Sequence, residues 1–326
     1  MRSWFSANGR LEFFLVFCSV ALLSSACVAL VLVPRLTSPP QLTADQADVL
    51  DATTELANPN LAAVRRDVQP YGPILVREAG ATGRALVVAH PGQRADLDSL
   101  AQALAPATAA VDAVWGVEWN RAPTIIVAGD VTEFTALTRA AGADVTPDVA
   151  AVSLTGSYVP GSKPTDQRII FNPEARRRVG DDGLATLLRH ELTHVATRER
   201  TLDGAPLWLV EGYADYVAQH GQSATFSQVA PSLTTRLRAG QTPADLATDA
   251  EFTGPEAAYA YEAAWSFCAF VGERYGQASL TALYRDLAGG PQSAATTDRA
   301  FDAVLKATRP ELLDGWRAWL RGRATS

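Results

Sequence analysis

Apolar residues follow two regimes along this chain. Between residues 84 and 171 they come in short unbroken runs: Arg84–His90 (RALVVAH), Pro123–Ala128 (PTIIVA), Ala150–Leu154 and Arg168–Phe171 (RIIF). Runs this short, rich in Val and Ile and bounded by Gly, Pro or Asn, predict buried strands. Ala95–Trp115 carries its apolar residues at helical spacing, and Glu133–Ala141 predicts a second helix. From Asp181 onward the strand signals stop. Asp181 or Asp182 can cap a helix over about 183–197, and Pro206 suits the first turn of another that ends near Gln219. Further helices are expected at about 256–275, 278–287, 297–307 and 311–321. Strands first and helices afterwards predict an α+β fold, a small N-terminal mixed sheet with helices followed by a mostly helical C-terminal part.

The longest apolar stretch lies at the start. Phe13–Val33 contains no charge and no proline, the length needed to cross a hydrocarbon core of about 30 Å as a helix. Three fates fit such a segment: an uncleaved anchor, a signal peptide, or a lipoprotein leader ending at Cys27. Its length exceeds an ordinary signal-peptide core, no polar cleavage region follows, and the Leu expected three residues before a lipoprotein Cys is Ser24, so the anchor is favoured. Arg2 and Arg10 precede the span and Arg35 alone follows closely, which puts residues 1–12 in the cytoplasm and the bulk outside. Pro34–Gln41 reads as a linker and Leu42–Leu56 as a helix that ends at Asn58-Pro59-Asn60. Residues 42–120 form an accessory part or the start of a sheet subdomain, and 121–326 the main domain.

Composition narrows the chemistry. The 326 residues hold 28 Lys+Arg against 35 Asp+Glu, a net charge of -7 with no basic block, which excludes nucleic acid as an expected partner. Arg176-Arg177-Arg178 is most simply a solvated charge run. Cys18 and Cys27 lie in the apolar leader, so Cys268 is the only thiol beyond it, and neither a disulfide there nor a thiolate zinc site is available. A metal would need His and carboxylate ligands.

Four histidines are present, and two of them stand in His190-Glu191-Leu192-Thr193-His194, an HExxH sequence inside the predicted helix 183–197. At 3.6 residues per turn, positions i and i+4 share a face, so both imidazoles can reach one Zn²⁺ while Glu191 projects about 100° around the axis toward an attacking water. Two surface histidines flanking an acid would be the bland alternative. Catalytic zinc usually has a third protein ligand. Thr197 and Arg200 stand where the long metzincin pattern requires Gly and His, which leaves the next helix, Trp208–Tyr216 (WLVEGYADY), with Glu211 seventeen residues beyond His194.

HELTH followed by WLVEGYADY resembles the gluzincin clan of metallopeptidases, and its wording is most similar to the bacterial peptidase MA-like branch. The resemblance covers roughly residues 120–320 and includes Tyr261–Phe267 (YEAAWSF), similar to a YxxxW stretch that opens a later helix. It implies a zincin-like fold, Zn²⁺ held by His190, His194 and Glu211, and Glu191 as general base. Asp215 would then accept the outward ring N–H of a ligand His, most simply His190. By the same resemblance Tyr261 would stabilise the oxyanion, with Tyr259 and His220 as competitors. Arg168–Phe171 would be either an edge strand that pairs with extended substrate or an ordinary sheet strand. The expectation is a single-pass membrane protein whose extracytoplasmic zinc-dependent domain hydrolyses polypeptide or peptide substrates. A zinc-binding pseudo-peptidase scaffold and a cell-wall peptide amidase are the alternatives.

Overall fold

The computed structural model describes residues 58–323 apart from positions 142, 144, 147, 157–161 and 254. The expected anchor, linker and 42–56 helix lie outside the described residues. Among those described, no helix is long and apolar enough to cross a membrane.

The first part holds α1 (Pro59–Asp67), β1 (Leu75–Ala79), β2 (Ala85–Ala89), α2 (Arg94–Trp115), β3 (Thr124–Val127), α3 (Val131–Ala140), β4 (Ala151–Leu154) and β5 (Arg168–Phe171). The strands form one mixed sheet in the order β1-β2-β3-β5-β4. The inner three run parallel, and both edge strands are antiparallel to their neighbours. Strands from both sides of residue 120 therefore share one sheet. Alternate side chains leave a strand on opposite faces. Val87, Ile125, Ile169 and Phe171 thus join the larger core with α2, while Leu86, Val88, Ile126 and Ile170 pack on Leu61, Val64 and Phe134. Cover on both faces is why ALVVA and TIIV are apolar throughout.

The expectation that Arg168–Phe171 could be a substrate-pairing edge strand is corrected by this order. β5 is paired on both sides, with β3 and with β4, so the edge on that side is β4.

The second part is helical, as expected: α4 (Ala175–Thr197), α5 (Leu207–Gln219), α6 (Phe226–Val229), α7 (Pro231–Arg238), α8 (Ala257–Tyr275), α9 (Gln277–Leu287), α10 (Ala294–Ala300) and α11 (Arg309–Arg323). Helix α4 starts before the expected 183 but is interrupted at Gly180, whose φ of 72° lies in the left-handed region open to glycine. The segment after this break is the predicted HELTH helix. The three arginines ahead of it are tied locally, Arg176 to Asp181, Arg177 to Glu174 and Arg178 to the Asp148 carbonyl. The expected 297–307 helix is instead α10 followed by a π-helical turn over Phe301–Leu305.

Helix α5 is wedged between α4 and α8. A Cβ at Gly212 would stand 2.5 Å from the Ala264 carbonyl oxygen, so glycine beside Glu211 permits the close approach of α8. On another side of α5, Tyr213 meets Trp115 and Tyr284, and its hydroxyl pairs with Thr281 at 2.9 Å. This buried aromatic group fixes the rotation of the helix that carries Glu211 and Asp215.

Candidate metal centre

His190 and His194 occupy successive turns of α4, both buried, with Nε2 atoms 2.9 Å apart. Glu211 enters from α5 and is 1% exposed; its Oε2 lies 3.4 Å from His190 Nε2 and 3.8 Å from His194 Nε2. One ligand atom from each residue falls within 4.8 Å of the others, so the three form a group that could hold a metal ion. One turn after Glu211, Asp215 Oδ1 accepts the His190 Nδ1–H at 2.7 Å. This bond assigns the His190 proton to Nδ1 and turns the Nε2 lone pair toward Glu211 and His194.

The fit to a metal rests on what is left unsatisfied. Neither Glu211 carboxylate oxygen has a hydrogen-bond partner among the described residues, although both are buried. Orphaned buried carboxylate oxygens are costly unless a cation or proton meets them. Two imidazole nitrogens and one carboxylate form the His₂Glu donor set of catalytic zinc. Without the ion, protons carry the compensation. Burial opposes the charged form of His190, but Asp215 and Glu211 outweigh it and push its pKa well above the usual histidine range. Burial pushes Glu211 up to about 7 against the attraction of His190, and burial with the His190 charge drives His194 well below its usual value.

Glu191 is fully buried beside this centre. The Ser153 hydroxyl, on edge strand β4, donates to Glu191 Oε2 at 2.6 Å, with the Glu191 carbonyl oxygen a second acceptor at 3.0 Å. Ser153 escaped the sequence reading; its one available signal is a hydroxyl on the same strand face as core residue Ala151.

Space opens on two sides. A cleft of about 20 Å³ is lined by His194 together with Ser153, Leu154 and Thr155 of the β4 end. A larger cavity of about 290 Å³ is lined by His190, Asp215, Tyr261 and Trp265. The three expected oxyanion partners separate accordingly. Tyr261 is buried in the cavity wall with Phe252 edge-on at 4.9 Å. Tyr259 lies under the Arg236 guanidinium at 4.0 Å and does not line the cavity. His220 is exposed just past the end of α5, its ring against Tyr216 at 5.4 Å.

No known family model matches the chain, and no curated protein matches it.

Proposed function

We propose that this chain is a zinc metallopeptidase of the gluzincin type, anchored in the cell membrane by residues 13–33 with its catalytic part outside the cytoplasm. The observation that carries the reading is the convergence of His190, His194 and the unpartnered Glu211 carboxylate, with Asp215 behind His190. A zinc ion held there would supply Lewis acidity, polarising the scissile carbonyl and acidifying the attacking water. Glu191 acts as general base, taking the water's proton and returning it to the leaving amine. Ser153 positions the Glu191 carboxylate through its hydrogen bond. Tyr261 donates to the developing oxyanion from the cavity wall, a role supported by its lining the same cavity as His190. Extended substrate adds to the outer side of β4, an assignment supported by the edge position of that strand and by the cleft it shares with His194.

The test is elemental analysis and peptide-library cleavage on the zinc-loaded chain, with Glu191→Gln alongside. The expected result is hydrolysis by the wild type and nearly none by Glu191→Gln at equal zinc content. A zinc-loaded wild type that cleaves no peptide sinks the peptidase reading. Placement is checked by adding protease to cells stripped of outer layers. The catalytic part should be digested and residues 1–12 spared; complete protection overturns the outward orientation.

A further inference from the structure

Acids outnumber bases in the lining of the larger cavity beside the metal centre, and its one basic group, His190, is already paired with Asp215. Asp182, Asp215 and Glu262 line it, and no Lys or Arg does. Glu262 is 7% exposed, and its Oε2 caps α7 by accepting the Leu233 N–H at 2.6 Å. The other oxygen, Oε1, is buried with no hydrogen-bond partner among the described residues. Burial raises the Glu262 carboxyl, the α7 donors offset part of the rise, and the charge of Asp215 adds to it. Asp215 is answered by His190 at 2.7 Å, whereas the Glu262 Oε1 in the same cavity wall meets no donor among the described residues. A buried oxygen in this condition lacks a donor that a ligand could bring.

The walls say which kind of cation fits. Leu187, Tyr261 and Trp265 give the cavity an apolar and aromatic lining suited to an alkyl stem and to the cation–π attraction of its charged end. A small metal ion would need converging ligand atoms. Among the described residues that condition is met by His190, His194 and Glu211, and by no group that includes Glu262.

We propose that this cavity is the specificity pocket for a lysine or arginine side chain next to the scissile bond, with Glu262 receiving its charge. The assignment rests on the peptidase reading and adds the substrate class: polypeptides cut beside a basic residue.

The experiment separates the two. Acetylated and amidated alanine hexapeptides, each with one lysine, arginine, norleucine or glutamate, are titrated into the zinc-loaded Glu191→Gln chain and, separately, given to the wild type for hydrolysis. Blocked termini leave the side chain as the only cation. The lysine and arginine peptides should bind roughly 10- to 100-fold more tightly than norleucine, as a charge-assisted bond to a buried carboxylate implies. Adding Glu262→Gln should bring that ratio close to one. The glutamine carbonyl can still accept from Leu233, and a thermal melt checks that α7 stays capped. Should that variant fail to fold, Asp182→Asn at the exposed mouth should still lower the ratio about twofold.

A preference for lysine in binding without wild-type hydrolysis would reject the peptidase and keep the pocket. Hydrolysis with a lysine-to-norleucine ratio that Glu262→Gln leaves unchanged would do the reverse. Equal binding of all four peptides, no binding of any, or binding that appears only with a free N-terminus overturns the pocket.

Discussion

This chain buries histidine against carboxylate in two places, and the two differ in what each leaves unsatisfied. At the C-terminal end of β2, His90 Nδ1 meets the Pro73 carbonyl at 2.8 Å and Nε2 meets Glu133 at 2.9 Å. Glu133 also accepts the Gly129 N–H at 2.7 Å, and a Cβ on Gly129 would come within 2.9 Å of the His90 ring. Every ring nitrogen and both carboxylate oxygens there are engaged, in a space with no room to spare. At the other place Glu211 is as deeply buried, yet both its oxygens lack a donor while two imidazoles face it. Burial of histidine against carboxylate is common to both. The difference is that the first group closes on itself and the second leaves donor atoms that could hold a metal ion, which makes the first a strut and the second a candidate site.

The comparison is broken most severely at the ligands. On the proposed reading, His194→Ala or Glu211→Ala should take zinc from about one per chain to near zero and abolish hydrolysis, because each removes one of the three side chains that would hold the ion. The fold should remain, since the HELTH helix keeps Leu184, Leu187, Leu188 and Leu192 in the core. Elemental analysis with circular dichroism reads both; wild-type zinc in Glu211→Ala would discard the assignment. Glu191→Gln comes next, with zinc retained and kcat/KM reduced about 10²- to 10⁴-fold, the range of a lost general base. Asp215→Asn should weaken zinc affinity about 10- to 100-fold, as measured by chelator competition, through the lost hold on His190.

At the strut the signs reverse. His90→Ala leaves the Glu133 carboxylate buried without its ring partner and should cost about 3 kcal/mol, lowering Tm by about 5–10 °C, with zinc content unchanged. Differential scanning calorimetry on the zinc-loaded and chelated chain separates the two effects. A His90 variant that lost zinc, or an apo Glu211 variant that lost several kcal/mol, would erase the distinction.

How much of this was legible in sequence depended on whether the signal was local. HELTH and the Glu211/Asp215 pair are both i,i+4 patterns on helices with apolar neighbours, so spacing alone puts their side chains on one face. The inner strands were legible because cover on both faces makes them apolar throughout. β1 (LVREA) was not, since an edge strand keeps Arg77 and Glu78 exposed and breaks the run. Helix α1 shows only Leu61 and Val64 buried within a short polar segment, too little periodicity to detect. α6 and α7 are short, and neither was expected. That β4 rather than β5 forms the edge was beyond local reading, because strand order reverses chain order there and nothing in AVSL or RIIF records a neighbour. Ser153 follows from that order: its partner Glu191 lies 38 residues away.

The smallest effect concerns protons. In the metal-free centre His190 holds its proton well above the usual range because Asp215 and Glu211 outweigh its burial, and Glu211 titrates at about 7 because burial outweighs the attraction of His190. Zinc needs the His190 Nε2 lone pair and an ionised Glu211, so binding at pH 7 must expel at least one proton. The sign follows directly: lowering the pH restores protons to the ligands and weakens binding, while raising it above Glu211's value removes one competitor. Apparent zinc affinity should therefore fall about tenfold per pH unit for each proton displaced between pH 8 and 6. Calorimetry in buffers of different ionisation heat counts those protons. A Glu211→Gln variant that binds zinc weakly should release fewer protons than the wild type, whereas His90→Ala should release the same number, since its ring lies in the self-contained group. Proton release that changed equally in both variants would mean that the two histidine–carboxylate groups are coupled and that the structural contrast between them has no functional counterpart.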